Sequence, residues 1–267
     1  MAALIVASRK DTAAQNIARH ILTTKKLQAL DSGGALFRDG EVYLKQVETD
    51  GIYTDKLDVD FVPDAAIFVS RHRSESNEPA LTVHWTGNVT GRADFGGKPK
   101  SLSPTDPPRL RSALLALDHA REIRNLNYAV TLEATHHGPT ELGVPTLFVE
   151  LGSTEKEWND RDAAAAAAEA AWEAATKPVT GKLAVGFGGG HYCNKQGNAI
   201  RNGGYAISHI FSKYFFEEYD AEVVRMAYNR TKGTCRTAII DWKGIRGSER
   251  GKLLETLKEM RTEIIRV

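Results

Sequence analysis

Tyr128-Ala-Val-Thr-Leu-Glu-Ala-Thr-His-His-Gly-Pro139 reads as a strand that runs into a turn: an extended, strand-forming stretch over residues 128–133 gives way to two imidazoles and then to Gly138-Pro139. A second strand-like run at 146–151 follows, and after it a helical pattern at 155–176. Strands alternating with helices of this length predict an α/β sheet covered on both faces. The same alternation extends outward. Strands are expected at 4–7, 42–47, 65–69, 81–84, 183–185, 223–227 and 237–242, and helices at 12–25, 108–121 and 249–261. The expected architecture is therefore an α/β three-layer sandwich around one mixed, mostly parallel sheet, with ligands collecting outside the carboxyl ends of strands.

The segment 155–176 is alanine-rich, which favours helix, and Thr154 with Glu157 supplies a capping box; Pro178 ends the run. Trp158 and Trp172 then fall on nearly one face, as core anchors. No linker, repeat or charged tail marks a boundary, so residues 1–267 are expected to form a single domain. The longest irregular piece, 86–108, carries four glycines and four prolines with Lys98 and Lys100, and reads as a lid or substrate-contacting flap.

A chain of 267 residues with 42% hydrophobic content can bury a full core, and its net charge of +1 excludes a globally basic nucleic-acid binder. A local basic run remains: Arg225, Arg230, Lys232, Arg236, Lys243, Arg246, Arg250 and Lys252 face only Asp241 and Glu249 in sequence. It serves either as a phosphate-binding patch or as a solvated face with its counter-charges elsewhere. Two cysteines, Cys193 and Cys235, give neither a disulfide framework nor a CxxC spacing, so a metal site has to use histidine and carboxylate. No run approaches the roughly 18 apolar residues of a membrane span, and residues 1–8 lack a basic leader, so a cytoplasmic protein, monomeric and without membrane contact, is expected.

Of eight histidines, His20 and His119 fall within amphipathic helical patterns and His209 in a helix-like stretch, where a structural role is expected. The other five sit where strands meet turns. His72 follows the run 65–69, His84 precedes Gly87-Asn88, His136 and His137 adjoin Glu133, and His191 follows Gly186-Phe-Gly-Gly-Gly190. In an extended segment Glu133, Thr135 and His137 share a face and His136 takes the other; a turn at His136 removes that restriction. Imidazole and carboxylate groups in this pattern suit zinc, which lowers the pKa of a bound water to about 7 and makes hydrolysis the natural chemistry. The alternative is a metal-free site, with one histidine as general base and another held by Glu133. The glycine run lacks the GxxxxGK[ST] phosphate-loop pattern; Gly188, Gly189 and Gly190 more simply let backbone amides approach a substrate, or serve tight packing.

Taken together, SRHRSE at 70–75, LTVHWTGN at 81–88, LEATHHGPT at 132–140, FVELGSTEKEW at 148–158, GFGGGHY at 186–192 and DWKG at 241–244 resemble the D-aminoacyl-tRNA deacylases of the archaeal and plant type. The resemblance spans nearly the whole chain. It implies a zinc-dependent hydrolase that cleaves the ester between a D-amino acid and the terminal ribose of tRNA, on an α/β fold similar to those of peptidyl-tRNA hydrolases and nucleoside phosphorylases. The expected site then comprises His72, His84, His136, His137 and His191 as ligands to one or two zinc ions. Glu133, His136 and His137 would act in catalysis, and Arg71, Arg73 and Gly188 to Gly190 would meet the substrate. Arg71 and Arg73 flank His72 and, in extended chain, point away from it, where they equally suit structural ion pairs.

Overall fold

The computed structural model describes residues 2–267. The first half comprises β1 (Ala3–Ser8), α1 (Thr12–Thr24), β2 (Gln28–Ala29), β3 (Leu36–Asp39), β4 (Val42–Val47), β5 (Ala65–Arg73), β6 (Ala80–Trp85), β7 (Gly87–Asn88), β8 (Ser101–Leu102), α2 (Pro107–Ile123) and β9 (Ala129–Leu132). There follow β10 (Thr146–Ser153), α3 (Glu155–Trp158), α4 (Arg161–Thr176), β11 (Lys182–Phe187), α5 (Asn194–Gly203), β12 (Tyr205–Phe211), α6 (Ala221–Asn229), β13 (Thr237–Ile240), α7 (Gly247–Glu259) and β14 (Glu263–Arg266).

The strands form two principal sheets where the sequence pattern suggests one. An eight-stranded sheet has the order β2-β3-β4-β1-β5-β10-β6-β9, and a four-stranded, wholly parallel sheet has the order β12-β11-β13-β14. The middle of the larger sheet, β4-β1-β5-β10, is parallel, while β6 runs antiparallel to β10 and β2 and β3 add an antiparallel edge. The α/β class and the mostly parallel, mixed pairing are as expected.

Period-two alternation divides the larger sheet into two faces. Ile5, Ile67, Val69, Leu81, Val83, Leu147 and Val149 point to a helical layer, where they meet Ile17 and Ile21 of α1, Leu110, Leu114 and Leu117 of α2, and the alanines of α4. Leu4, Val6, Phe68 and Phe148 point the other way. Helix α4 packs against both α1 and α2 and against the sheet, and ten of its alanines are buried. Alanine suits that position because it forms helix readily and keeps its neighbours at close range; a larger side chain such as Leu at Ala167 would overpack the layer.

Three expectations from the pattern give way to local chemistry. The helix predicted over 155–176 is two: the capping box of Thr154 and Glu157 starts only α3, and the Asp160 carboxylate accepts from the amides of Asp162 and Ala163 to start α4 afresh. Trp158 and Trp172 therefore do not share a helix face, and both are only half-buried. The strand predicted at 223–227 is helix α6, capped by Asp220, because the buried Val223, Val224, Ala227 and Tyr228 recur at helical spacing. His209 lies in strand β12, not in a helix, amid a continuous buried run from Ala206 to Phe211. The flap at 86–108 is closed on itself by the pairing of β7 with β8.

Candidate active site

The site grows from three adjacent strands. Register places Ser70 of β5 beside Glu150 of β10 and Glu150 beside Thr82 of β6; one step along, Phe68, Phe148 and His84 form the next row. Side chains two residues apart share a face, so Ser70, His72, Phe148, Glu150, Thr82 and His84 all project to the side opposite the helical layer. Glu133 joins them from the end of β9, where its amide donates to Val83 O. The segment 133–136 then leaves the larger sheet and is held from both sides. Ala134 N donates to His191 O, Thr135 N to Ile210 O, Cys193 N to Leu132 O, and Glu133 pairs with Tyr192 in an antiparallel bridge. This strap brings the smaller sheet's glycine-loop histidine against residues of the larger sheet. His137 has φ +45°, so a turn does begin at the histidine pair, and both rings face the site.

Five imidazoles and two carboxylates converge there. The Nδ1–H groups of His84, His136 and His137 donate to the carbonyls of Trp85 (3.2 Å), Ala134 (2.8 Å) and Gly138 (2.6 Å). A carbonyl only accepts, so these bonds leave each Nε2 lone pair free to face inward. His136 lies between its neighbours, tilted against His84 and edge-on to His137 and His191, with ring centroids 4.2, 4.3 and 4.7 Å away respectively. Glu133 accepts from His191 Nε2 at 3.0 Å, and His72 Nδ1 lies 3.3 Å from both Glu133 and Glu150. Ser70 donates to Glu150 at 2.8 Å, and Thr82 donates to Glu133 and Glu150 at 3.2 and 3.4 Å. Tyr192 reaches His72 Nε2 at 2.9 Å.

Electrostatics split the histidines into two kinds. Burial lowers the pKa of His136 and His137, the latter to about 4, and the neighbouring His84 lowers them further. Burial also opposes charge on His72 and His84, yet the His72 hydrogen bond to Glu150, the approach of His84 to the same carboxylate at 3.6 Å and the negative charge of Glu133 and Glu150 outweigh it and raise both. Burial would raise the two carboxylates; the His191 bond and the charges of His72 and His84 hold Glu133 down, and the bond from His72 together with the nearby His84 holds Glu150 well below the carboxylate range.

The arrangement fits a metal cation. His84 Nε2 is fully buried with no hydrogen-bond partner, 3.7 Å from Glu133 and 3.6 Å from Glu150. An orphaned buried nitrogen is costly, and a cation would satisfy it together with the other inward lone pairs. Three groups have donor atoms within 4.8 Å of one another: His84, His136 and His137; Glu133, His136 and His191; and His72, Glu133 and Glu150. Cys193 stays outside them; burial pushes its thiol pKa up, and its Sγ faces the carbonyls of Gly190 and His191.

A solvent-open cavity of about 410 Å³ has His72, His136, His137, His191 and Glu150 in its wall, with Asp50, Arg71 and Phe95 at its sides. The five histidines and Glu133 expected from sequence are thus brought together. Arg71 and Arg73 border the cavity but point away from His72, Arg71 pairing with Asp50 at 3.7 Å and both guanidinium groups lying over Trp158. The glycine loop departs from expectation. The amides of Gly188 and Gly189 donate to Phe211 O and Gly244 O, and Gly189 and Gly190 line a different cavity with Lys213, Lys243 and Arg246. They therefore do not line the histidine site as amide donors; Gly188 instead needs its φ of +86° to turn the chain tightly against Asp241 O. Much of the basic patch is likewise engaged: Arg225 with Glu222 and Glu259, Lys232 with Asp106, and Arg250 over Trp242. Lys98 and Lys100 pair with Glu141 and Asp220.

Glu150 is the participant that sequence reasoning missed. Its signal was a lone carboxylate inside the apolar run of β10, a placement that demands partners.

His209 is a structural histidine. Its Nε2–H donates to Ser103 O at 2.9 Å and its Nδ1 pairs with the Thr135 hydroxyl at 3.1 Å, which fixes the end of the strap. Burial lowers its pKa to about 4. Because the folded value lies below the unfolded 6.5, the unfolded chain binds the proton first, and stability falls as pH drops from 6.5 toward 4. At 1.36 kcal/mol per pH unit this residue alone removes about 3 kcal/mol across that window. An NMR titration of the ring should give a midpoint near 4, and a midpoint near 6.5 would show that the neutral, buried state is wrong.

A buried histidine and carboxylate floor beneath an open cavity, on an α/β scaffold, defines a hydrolase-type site. The sequence profile of the D-aminoacyl-tRNA deacylase family matches residues 59–265. Proteins named D-aminoacyl-tRNA deacylase from Methanosarcina mazei and Archaeoglobus fulgidus are 35% and 36% identical to this chain. Both alignments cover 98% of it, and 91% and 95% of those proteins respectively. The crystal structure of a conserved protein of unknown function superposes with a TM-score of 0.89 at 34% identity, covering 99% of this chain and 95% of that one. The chain belongs to the D-aminoacyl-tRNA deacylase family.

Proposed function

We propose that the chain hydrolyses the ester joining a D-amino acid to the terminal ribose of tRNA, releasing both. The observation that carries this reading is the convergence of inward imidazole lone pairs and two buried carboxylates at an open cavity, in a chain whose family bears that activity's name. Zinc is the cofactor these donors fit, with His84, His136 and His137 as one ligand set and Glu133, His136 and His191 or His72, Glu133 and Glu150 as another, and when bound it would polarise the ester carbonyl and make a water more acidic.

The protein's own groups do the rest. Glu133 holds the His191 ring in place through Nε2, and Glu150 does the same for His72 through Nδ1. Glu150, in the cavity wall, is the proposed proton acceptor, and His72, beside it in the same wall and in contact with Tyr192, is the group proposed to return a proton to the leaving ribose oxygen. Arg71 and Arg73 at the rim are the proposed phosphate contacts, and binding of tRNA should weaken with added salt in proportion to their number.

The test is incubation of the purified protein with D-tyrosyl-tRNA and L-tyrosyl-tRNA. Loss of the D ester alone is expected. Binding of both without turnover of either would identify a catalytically silent tRNA-binding protein that kept the fold.

A further inference from the structure

The flap at 86–108 carries one feature that the reaction just described leaves unused. Phe95 is 65% exposed and lies in the wall of two cavities at once, the site cavity and a smaller one of about 180 Å³, and both also have His136 and His137 in their walls. A single exposed aromatic is ordinary on a protein surface. This one is held rigidly beside the reacting centre. Its carbonyl accepts from Gly138 N at 3.0 Å, tying it to the turn that presents the two histidines. The two residues after it are closely packed: Gly96 has φ +81°, and a Cβ there would lie 2.1 Å from the backbone oxygen of Ile52; Gly97 has φ +73°, and a Cβ there would lie 2.7 Å from the Thr140 side chain. The Asn88 amide donates to Gly96 O and Lys98 O, and Lys98 N donates to Thr140 Oγ1. A second aromatic flanks the same glycine. Tyr53, 51% exposed, has its Cδ1 3.2 Å from where a Gly96 Cβ would stand.

We infer that Phe95, with Tyr53 beside it, is the platform on which the terminal adenine of the substrate tRNA stacks, placing the neighbouring ribose ester over His136 and His137. This rests on the deacylase reading. The unpaired 3′ end of tRNA offers free π-faces, and proteins hold unpaired bases by stacking them on fixed aromatic side chains. An ester substrate needs room on both sides of the reacting carbonyl, one side for the amino acid and one for the nucleoside. Two cavities that share Phe95, His136 and His137 in their walls supply both. The charges in the flap are already paired internally, Arg92 with Asp94, Lys98 with Glu141 and Lys100 with Asp220, so stacking rather than phosphate attraction is what this element offers.

The decisive experiment compares wild type, Phe95→Ala and Phe95→Trp for affinity to uncharged tRNA with and without its terminal adenosine. Wild type should bind the complete end more tightly; Phe95→Ala should erase most of that difference, a loss of roughly 5- to 100-fold, and Phe95→Trp should keep it. Kinetics with D-tyrosyl-tRNA and D-alanyl-tRNA should show KM rising equally for both in Phe95→Ala, with kcat nearly unchanged. An unaltered preference for the terminal adenosine in Phe95→Ala would overturn the inference, as would a KM effect confined to D-tyrosyl-tRNA, which would put the amino-acid side chain on Phe95 instead. Because the affinity measurement needs no turnover, failure of the deacylase reading would show separately, as wild type that leaves D-aminoacyl-tRNA intact.

Discussion

Replacing Glu150 with glutamine should lower kcat/KM for D-aminoacyl-tRNA by roughly 10²- to 10⁴-fold, the span seen when a group that moves protons or supports a metal ligand is lost. The substitution keeps the volume and removes only the charge. In the native protein that carboxylate accepts from Ser70, His72 and Thr82 and lies within 4.0 Å of His84 and His137. Without it His72 and His84 lose one of the two anions that raise their pKa, and the glutamine NH2 has to face donors or lone pairs meant for an oxygen. Circular dichroism and a thermal melt will separate loss of chemistry from loss of fold. A folded Glu150→Gln enzyme retaining more than a tenth of wild-type activity would remove this residue from the machinery.

Chelation followed by dialysis should have the second large effect. Hydrolysis should fall about 10²-fold or more and return with added zinc. A readout independent of turnover accompanies it: a ion that binds only the folded chain stabilises it by RT ln(1 + [L]/Kd), about 2.7 kcal/mol at a hundredfold excess over Kd. For a domain of this size that corresponds to a Tm shift of roughly 5 to 10 °C. Full activity and an unchanged Tm after chelation would sink the metal reading and leave the alternative of a histidine base. The orphaned His84 nitrogen would then need another explanation.

Much of this site was legible before any coordinates, because strand ends advertise themselves. His72, His84, His136, His137 and Glu133 each stand where an apolar extended run stops, and ligands collect there in α/β proteins. What the pattern could not carry was pairing. Whether β11 joins the sheet of β5 or starts another depends on long-range register, so a single sheet was expected and two were found. Helix α6 was misread because Val223 and Val224 are strand formers by composition, and only the Asp220 cap and the burial of Ala227 and Tyr228 restore the helical period. Glu150 escaped notice because it sits mid-strand, flanked by Val149 and Leu151, and looks like an interruption until its three donors are seen. The glycine loop misled in the opposite sense: its composition suggests a ligand cradle, while its amides close the protein's own turns.

The strap at 133–136 couples the two halves of the molecule. Its residues hydrogen-bond to β6 on one side and to the segment 191–193 and the end of β12 on the other. The N-terminal sheet by itself would own Glu133, His136, His137 and Glu150 yet lack His191, which fixes one of those carboxylates from across the seam. The cluster is thus complete only in the docked pair of sheets: a half-assembled chain emerging during synthesis would hold most of these groups without the histidine that pins Glu133.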